Sequence, residues 1–210
     1  MSGKDYGKNI LQKIHLKNLC RNFSDVQVVA VMDLLDESKT IADQFNIPVF
    51  VEDFDQLLAV PELDAVVICS PTDTHADYVV KAANAGKQIF CEKPLDLSLD
   101  RVKQVLETVK GAGVKLMLGF NRRFAPSYRD LYDIFNDDKG PVMITYRMCD
   151  DVRDRAAWYS TQHRLIEEAC HVFDTFNWLA KSEPVSVVAT EYGRDADNCV
   201  IVEYEKGVTA

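Results

Sequence analysis

Lys93 occupies a position at which a lysine can take part in catalysis. It lies in the segment CEKP, residues 91–94, directly after the apolar run QIF. The proline that follows makes a cis peptide or a sharp bend possible there. Ligands of open parallel sheets bind at the carboxyl ends of the strands, so a partly desolvated lysine could donate a hydrogen bond to a hydroxyl being oxidised, or act as its base. An isolated E-K-P segment is, however, also common on protein surfaces.

His171 is a candidate proton acceptor. The segment EEACHVFD, residues 167–174, is predicted to be helical, which places Glu167, His171 and Asp174 on one face at i, i+4 and i+7. Glu167 would then tune the proton affinity of the imidazole. A core histidine satisfied by a neighbour is one alternative. A metal site is another, but nothing at suitable spacing supplies a third ligand, so we predict no metal.

Two segments near the N-terminus are relevant to dinucleotide binding. GKNILQKIH, residues 7–15, has the frame of the turn G-x-G-x-x-G, but only Gly7 fills a glycine position, and Asn9 and Gln12 occupy the other two. Asp33 ends the apolar run VQVVAVM about 20 residues further on. A carboxylate there can accept the ribose hydroxyls of adenosine and repel a 2′-phosphate, which favours NAD over NADP. The alternative is that Asp33 only begins the turn LLDES.

Polar residues follow two further predicted strands. CSPTDTH, residues 69–75, offers hydroxyls and backbone N–H groups at the start of a helix, where a pyrophosphate or ribose could bind. Helix capping by Thr72 or Thr74 explains the same residues without a ligand. GFNRRF, residues 119–124, places two adjacent arginines at a strand end, where they could hold cofactor or substrate oxygens or pair with some of the 33 acidic residues.

The order of predicted elements indicates how these residues are brought together. Short β-branched runs alternate with helical patterns up to residue 124, which predicts a doubly wound α/β fold of the Rossmann type. Longer, alternating strands follow, VMITYRM, VSVVATEY and CVIVEYE, with a helix near 165–180. We therefore predict two domains, 1–124 and 125–210, the second an α+β domain with an open, largely antiparallel sheet. Because MSGKDY is polar, we expect the first strand to be missing. CVIVEYEKGVTA stops on what looks like a hairpin about to return, so we expect the second domain to be incomplete.

Composition narrows the class of protein. The chain has 210 residues and a net charge of −9, which argues against nucleic acid or an anionic membrane as a partner. No apolar run reaches the roughly 18 residues of a membrane helix. The six cysteines form no C-x-x-C pair and several lie in apolar runs, which favours buried thiols in a reducing compartment. We expect a cytoplasmic protein.

The segments AGKQIFCEKP and LGFNRRF, taken with Asp33, CSPTDTH and EEACHVFD, resemble the glucose–fructose oxidoreductase/inositol dehydrogenase (Gfo/Idh/MocA) family over about residues 7–210. The resemblance implies a Rossmann domain followed by an α/β domain whose large sheet often forms oligomers. It also implies NAD(P)-dependent oxidation of a secondary hydroxyl of a sugar, inositol or related polyol, with hydride transfer to nicotinamide.

The resemblance also assigns residues. Lys93 would lie near the reacting hydroxyl, His171 would be the base, and Glu167 stands where many members have aspartate. The implied cofactor site consists of Gly7, Asn9, Gln12, Asp33, Ser70, Pro71, Thr72, His75, Glu92, Lys93, Asn121 and Arg122.

The chain departs from the family pattern at the opening turn. The Asn9 side chain crowds the approach of a pyrophosphate, and Gln12 replaces the glycine that permits close helix–strand packing. STQHRLIEE also lacks the paired glycines usual before the helix of His171. The alternative function is therefore a catalytically impaired relative that acts as a binding or interaction protein.

Overall fold

The computed structural model describes residues 10–137, 142–148, 166, 168–191 and 198–210. Gly7, Asn9 and Glu167 lie outside these ranges, as does the expected absence of a strand before the glycine turn. Gln12 lies in the first helix, but its side chain is not described. The chain divides into two compact units, residues 1–119 and 120–210. The division at 124/125 stays a prediction.

The first unit alternates helices and strands, as the sequence predicted. Every paired strand in it is parallel, and the strand orders are β1-β2 and β3-β4-β5. Its elements are α1 (Ile10–Asn22), β1 (Ala30–Met32), α2 (Asp36–Gln44), β2 (Val49–Val51), α3 (Phe54–Leu58), β3 (Ala65–Ile68), α4 (Thr72–Asn84), β4 (Gln88–Cys91), α5 (Leu99–Ala112) and β5 (Leu116–Leu118). The predicted fold class, a Rossmann-type parallel sheet, is confirmed.

β1 is shorter than the apolar run VQVVAVM that predicted it. It pairs only over the three residues that β2 offers, Ala30 to Met32 against Val49 to Val51. Within the described residues, β1 and β3 belong to separate sheets. Because β2 is only three residues long, its ladder with β1 ends after three pairs, which accounts for the short β1.

The core of the first unit lies between β3-β4-β5 and the helices α4 and α5. Val79 of α4 and Val105 of α5 are fully buried in it, beside Ile89 of β4. Local signals set the ends of α5. The Ser98 hydroxyl accepts a hydrogen bond from the Arg101 amide at 3.5 Å, and Gly113 ends the helix at a φ of 68°.

The second unit combines helices with an antiparallel pair of strands. Its elements are the 3-10 helix η1 (Asn121–Phe124), α6 (Pro126–Asp137), α7 (Cys170–Ala180), β6 (Pro184–Glu191) and β7 (Asn198–Tyr204). β6 and β7 pair antiparallel, as predicted. Phe176 of α7 packs with Val202 and Tyr204 of β7 in a buried cluster.

The strand predicted for VMITYRM was wrong. Residues 142–148 contain one bridge, between Met143 and Thr209. Two backbone bonds accompany it, from Ile144 N to Thr209 O at 2.8 Å and from Thr209 N to Val142 O at 3.0 Å. A single bridge does not form a ladder, so the alternating pattern alone did not produce a strand here.

Two further findings concern membrane-spanning helices and the state of the buried cysteines. No helix among the described residues is long and apolar enough to cross a membrane. Cys69 and Cys91 are not in a disulfide, and burial raises the pKa of Cys69 to about 12. Their thiols therefore stay protonated near neutral pH and are poor nucleophiles.

Candidate active site

Three of the predicted residues of the first unit lie just beyond the carboxyl ends of its strands. Asp33 follows β1, Ser70 comes two residues after the end of β3, and Lys93 follows β4 in the same way. The Lys93–Pro94 peptide is cis, one of the two alternatives that the sequence left open. In an open parallel sheet this edge is where ligands bind, because the helix N-termini and the connecting loops meet there.

The Asp33 carboxylate begins the turn into α2. Its Oδ1 accepts hydrogen bonds from the amides of Leu34 at 2.7 Å and Leu35 at 3.2 Å. Its Oδ2 accepts one from the Ser38 hydroxyl. These contacts are those expected if Asp33 begins the turn LLDES, which was the alternative to ribose binding. A carboxylate offers about four lone-pair positions, so it retains capacity to accept a ribose hydroxyl.

The loop after β3 forms the N-terminus of α4. The Thr74 hydroxyl donates to Pro71 O at 2.7 Å, and its oxygen lies at hydrogen-bond distance, 2.6 Å, from the Ser70 hydroxyl. The helix begins at Thr72, and the first N–H groups of a helix have no partner within it. A hydroxyl-rich loop at a helix N-terminus suits an anionic group such as a pyrophosphate. The donors and acceptors of this edge therefore fit a dinucleotide.

His75 contacts backbone rather than solvent. Its side chain is buried, with Nδ1 at 2.7 Å from Pro94 O and Nε2 at 2.8 Å from Ser70 O. The ring therefore lies between the loop after β3 and the loop after β4. Sequence reasoning placed His75 in the cofactor site, but nothing in the sequence pattern indicated these two carbonyl partners.

Glu92 is buried at the end of β4. Its Oε1 lies 2.7 Å from His15 Nε2, and its Oε2 accepts a hydrogen bond from the Lys93 amide at 3.3 Å. Burial by itself raises the pKa of Glu92, but the hydrogen bond and charge of His15, together with the Lys93 amide, lower it below its usual range. Both oxygens thus have protein partners. His15 was not among the site residues predicted from the sequence, although it ends the segment GKNILQKIH that has the frame of a dinucleotide-binding turn.

The remaining predicted residues belong to the second unit. Asn121 is exposed in η1, whereas Arg122 beside it is half-buried, with its guanidinium carbon 5.3 Å from the centre of the Tyr146 ring. His171 is buried in the first turn of α7, and its ring meets that of Phe120 edge-on at 6.0 Å.

The start of α7 and the partner of Asp174 complete the description of this unit. α7 begins at Cys170, and Glu168 and Ala169 form a turn, so the helix starts later than predicted. Ala169 is the N-cap residue of this observed start and makes no side-chain capping hydrogen bond. Asp174 forms a two-pronged ion pair with Arg123, in which Arg123 Nε donates to Oδ2 at 2.8 Å and Nη2 donates to Oδ1. This is the structural pairing that the sequence allowed for the arginines of GFNRRF.

Over the ranges for which the structure gives positions, no three His, Cys, Asp or Glu side chains cluster in a way that could hold a metal ion.

Parallel strands with helix N-termini and polar loops at their carboxyl ends define a nucleotide-binding α/β protein of the Rossmann type. Residues 6–120 match the family model described as oxidoreductase family, NAD-binding Rossmann fold (Gfo/Idh/MocA). The chain belongs to this family, as its motifs predicted.

Several relatives are inositol dehydrogenases. The chain is 38% identical over 188 residues to inositol 2-dehydrogenase of Rhizobium meliloti (strain 1021), which covers 88% of this chain and 56% of that protein. It is 44% identical over 117 residues to scyllo-inositol 2-dehydrogenase (NAD(+)) of Bacillus subtilis (strain 168), covering 55% of this chain and 34% of that one.

A solved structure gives the same result for the fold. The crystal structure assigned as a myo-inositol dehydrogenase of Sinorhizobium meliloti 1021 superposes with a TM-score of 0.80 at 34% identity, covering 95% of this chain and 64% of that chain. The chain thus spans about half to two thirds of the length of the Rhizobium relative and of this solved structure.

Proposed function

We propose that this protein is an NAD-dependent oxidoreductase that oxidises a secondary hydroxyl of inositol or a related polyol. The observation that carries the proposal is the placement of Asp33, Ser70 and Lys93 within two residues of the ends of three parallel strands, in a member of a family with an NAD-binding Rossmann fold. The inositol dehydrogenases among its relatives support the substrate class.

The proposed chemistry needs a donor to the hydroxyl oxygen and an acceptor for its proton. Oxidation removes a hydride from the carbinol carbon and a proton from its oxygen, and leaves a ketone. Lys93 is proposed to hold the hydroxyl oxygen through its ammonium, and His171 to take the proton, with Glu167 tuning the imidazole. NAD, when bound, accepts the hydride at its nicotinamide ring.

The cofactor-binding residues proposed for this chain lie mainly near the strand ends and in the segment GFNRRF. Asp33 would accept ribose hydroxyls, and its negative charge would disfavour the 2′-phosphate of NADP. Ser70, Pro71 and Thr72 would face the cofactor from the start of α4. Asn121 and Arg122 would contribute from η1. In the opening turn, Gly7, Asn9 and Gln12 complete the proposed set.

Cofactor binding is the first test. NADH fluorescence is titrated with the protein, and NADPH is titrated in parallel under the same conditions. We expect NADH to bind, and to bind more tightly than NADPH, because Asp33 repels the additional phosphate. Absence of NADH binding at millimolar cofactor would refute the enzyme assignment for this chain and favour the impaired relative. Turnover is then followed at 340 nm with NAD⁺ and a panel of inositol isomers and sugars.

Lys93→Ala tests the catalytic assignment. General acid–base groups contribute about 10²–10⁴-fold to rate, so we expect kcat to fall by that order while the far-UV circular dichroism spectrum is unchanged. Lys103→Ala, on the exposed face of α5, removes the same charge and serves as the control. Unchanged turnover in Lys93→Ala would remove Lys93 from the mechanism.

Self-association, location and domain division are also part of the proposal. Homo-oligomerisation through the C-terminal sheet is supported by apolar residues exposed on β6 and β7, Val188 and Ile201 among them. A reducing, cytoplasmic location is supported by the buried, reduced Cys91. We also retain the two-domain division, with a substrate or oligomerisation role for 125–210.

A further inference from the structure

The backbone around Lys93 is held on both sides by side chains. Before it, the Glu92 carboxylate accepts the Lys93 amide at 3.3 Å and is itself held by His15 at 2.7 Å. After it, Pro94 O lies 2.7 Å from His75 Nδ1. The residues flanking Lys93 are therefore tied to α1 through His15 and to α4 through His75.

The His75 ring has an unusual pair of neighbours. Its nitrogens lie 2.7 Å from Pro94 O and 2.8 Å from Ser70 O, and a carbonyl oxygen can only accept a hydrogen bond. A neutral imidazole carries one N–H, so it donates to one of these carbonyls, and the tautomer decides which. Donation from Nδ1 fastens the segment after Lys93, whereas donation from Nε2 fastens only the loop after β3.

Direct contact between His75 and a cofactor does not agree with this geometry. The side chain is 2% exposed, and each ring nitrogen already faces a backbone oxygen at hydrogen-bond distance. A ring in this position links two loops of the sheet edge and offers no nitrogen to a ligand.

We propose that His75 is a positioning residue for Lys93, which it serves by donating its Nδ1 hydrogen to Pro94 O. The bond fixes the backbone that carries Lys93 at the end of β4, and the Glu92–His15 pair fixes it from the other side. The consequence for catalysis rests on the role of Lys93 in the proposed function. The structural part of the proposal, that His75 holds residues 93–95 through Nδ1, does not depend on the proposed function.

Two variants of His75 separate the two bonds. In His75→Asn the side-chain amide nitrogen lies near the place of Nδ1 and can still donate to Pro94 O. In His75→Gln it lies near the place of Nε2 and can reach only Ser70 O. Both variants remove the ring, and asparagine, the smaller side chain, leaves the larger void. A packing loss alone would therefore make exchange faster in His75→Asn, so faster exchange in His75→Gln reports the lost bond to Pro94 O.

Amide hydrogen exchange gives the structural readout. We expect Lys93 and Leu95 to exchange faster in His75→Gln than in His75→Asn, because only the glutamine variant releases Pro94 O. In turnover, kcat of the glutamine variant should lie roughly tenfold below that of the asparagine variant, with little difference between them in KM for NAD⁺. Equal exchange in both variants, or faster exchange in His75→Asn, would overturn the proposal. So would equal weakening of NADH binding in both without altered exchange at 93–95, which is the signature of direct cofactor contact.

One measurement on the unaltered protein covers the case in which neither variant folds. The ¹⁵N chemical shifts of His75, assigned in the full chain, report which ring nitrogen carries hydrogen. A proton on Nδ1 supports the proposal, and an unprotonated Nδ1 overturns it. Failure of the proposed function is distinct, since it would appear as a wild-type protein that binds no NADH while exchange and ¹⁵N data still follow the pattern above.

Discussion

The carboxylate of Glu92 connects three elements of the first unit. It meets His15 of α1, the amide of Lys93 after β4, and the backbone of Gly119 after β5. A Cβ built on Gly119 would lie 2.6 Å from Glu92 Oε2, closer than real contacts allow. A side chain at position 119 would therefore have to displace the Glu92 carboxylate, and this contact, not a left-handed backbone, is what favours glycine there.

Gly119→Ala is predicted to destabilise the first unit. The added methyl group must displace the Glu92 carboxylate from His15 and the Lys93 amide, and overpacking of this kind costs about 1–3 kcal/mol. Urea unfolding followed by far-UV circular dichroism measures the loss. Gly111→Ala is the matched control, because a Cβ there meets nothing within 4 Å and the position is inside α5, where alanine is favoured by up to about 1 kcal/mol. Equal effects of the two substitutions would show that the contact with Glu92 is unimportant.

At the scale of elements, α7 is held to its neighbours by polar and aromatic contacts. The Arg123–Asp174 ion pair joins η1 to α7, the helix that carries His171. On α6, the Tyr132 ring stacks on Trp178 of α7 with centroids 4.4 Å apart. Lys181 Nζ lies 3.8 Å from the Tyr132 ring centre, so a cation adds to the stack. These contacts fix the orientation of α7 against η1 and α6.

Asp174→Asn is predicted to loosen this arrangement. An amide cannot accept two charge-assisted bonds from Arg123, and hydrogen bonds to charged groups contribute about 1.5–3 kcal/mol. The Asp174 side chain is 9% exposed, so water replaces the lost bonds poorly. Both tryptophans follow residue 120, so tryptophan fluorescence during urea unfolding reports on this unit. Asp130→Asn, at an exposed position of α6, removes the same charge and should change stability by less than about 0.5 kcal/mol. A similar loss in both variants would contradict the assignment.

At the scale of the whole molecule, the β6-β7 pair presents apolar side chains to its surroundings. Val188 is 59% exposed and stands directly opposite Ile201, which is 45% exposed. α7 covers the other face, where Val202 and Tyr204 are buried. An exposed apolar surface on an antiparallel sheet is suited to contact with a second copy of the chain.

Val188→Lys is predicted to weaken self-association. A charge on this face must be desolvated in a sheet-to-sheet contact, whereas the exposed position tolerates it in the monomer, with a stability change within about 0.5 kcal/mol. Sedimentation equilibrium over a range of protein concentrations measures the effect. Leu99→Lys, at a 67% exposed position of α5, is the control for an added charge elsewhere. A wild-type protein that is monomeric throughout, or a variant that associates as before, would refute association through this sheet.

Local patterns determined much of the first unit. The Ser98 cap, the glycine end of α5 and the apolar runs of β3 and β4 each depend on residues within one turn or one strand, so the sequence alone predicted them. The position of Lys93 at a strand end followed from the same patterns. The extent of β1 did not, because a strand is as long as the partner it pairs with.

Contacts between distant residues were decided by the tertiary structure. His15 and Glu92 are separated by 77 positions in the chain and Arg123 and Asp174 by 51, and neither pair is marked by any spacing. The sequence determined which chemical groups stand at the sheet edge. Folding decided which of them face one another, because a hydrogen bond at 2.7 Å depends on how the helices pack on the sheet. Many choices of side chain are compatible with the same packing, so the sequence pattern does not reveal the partners.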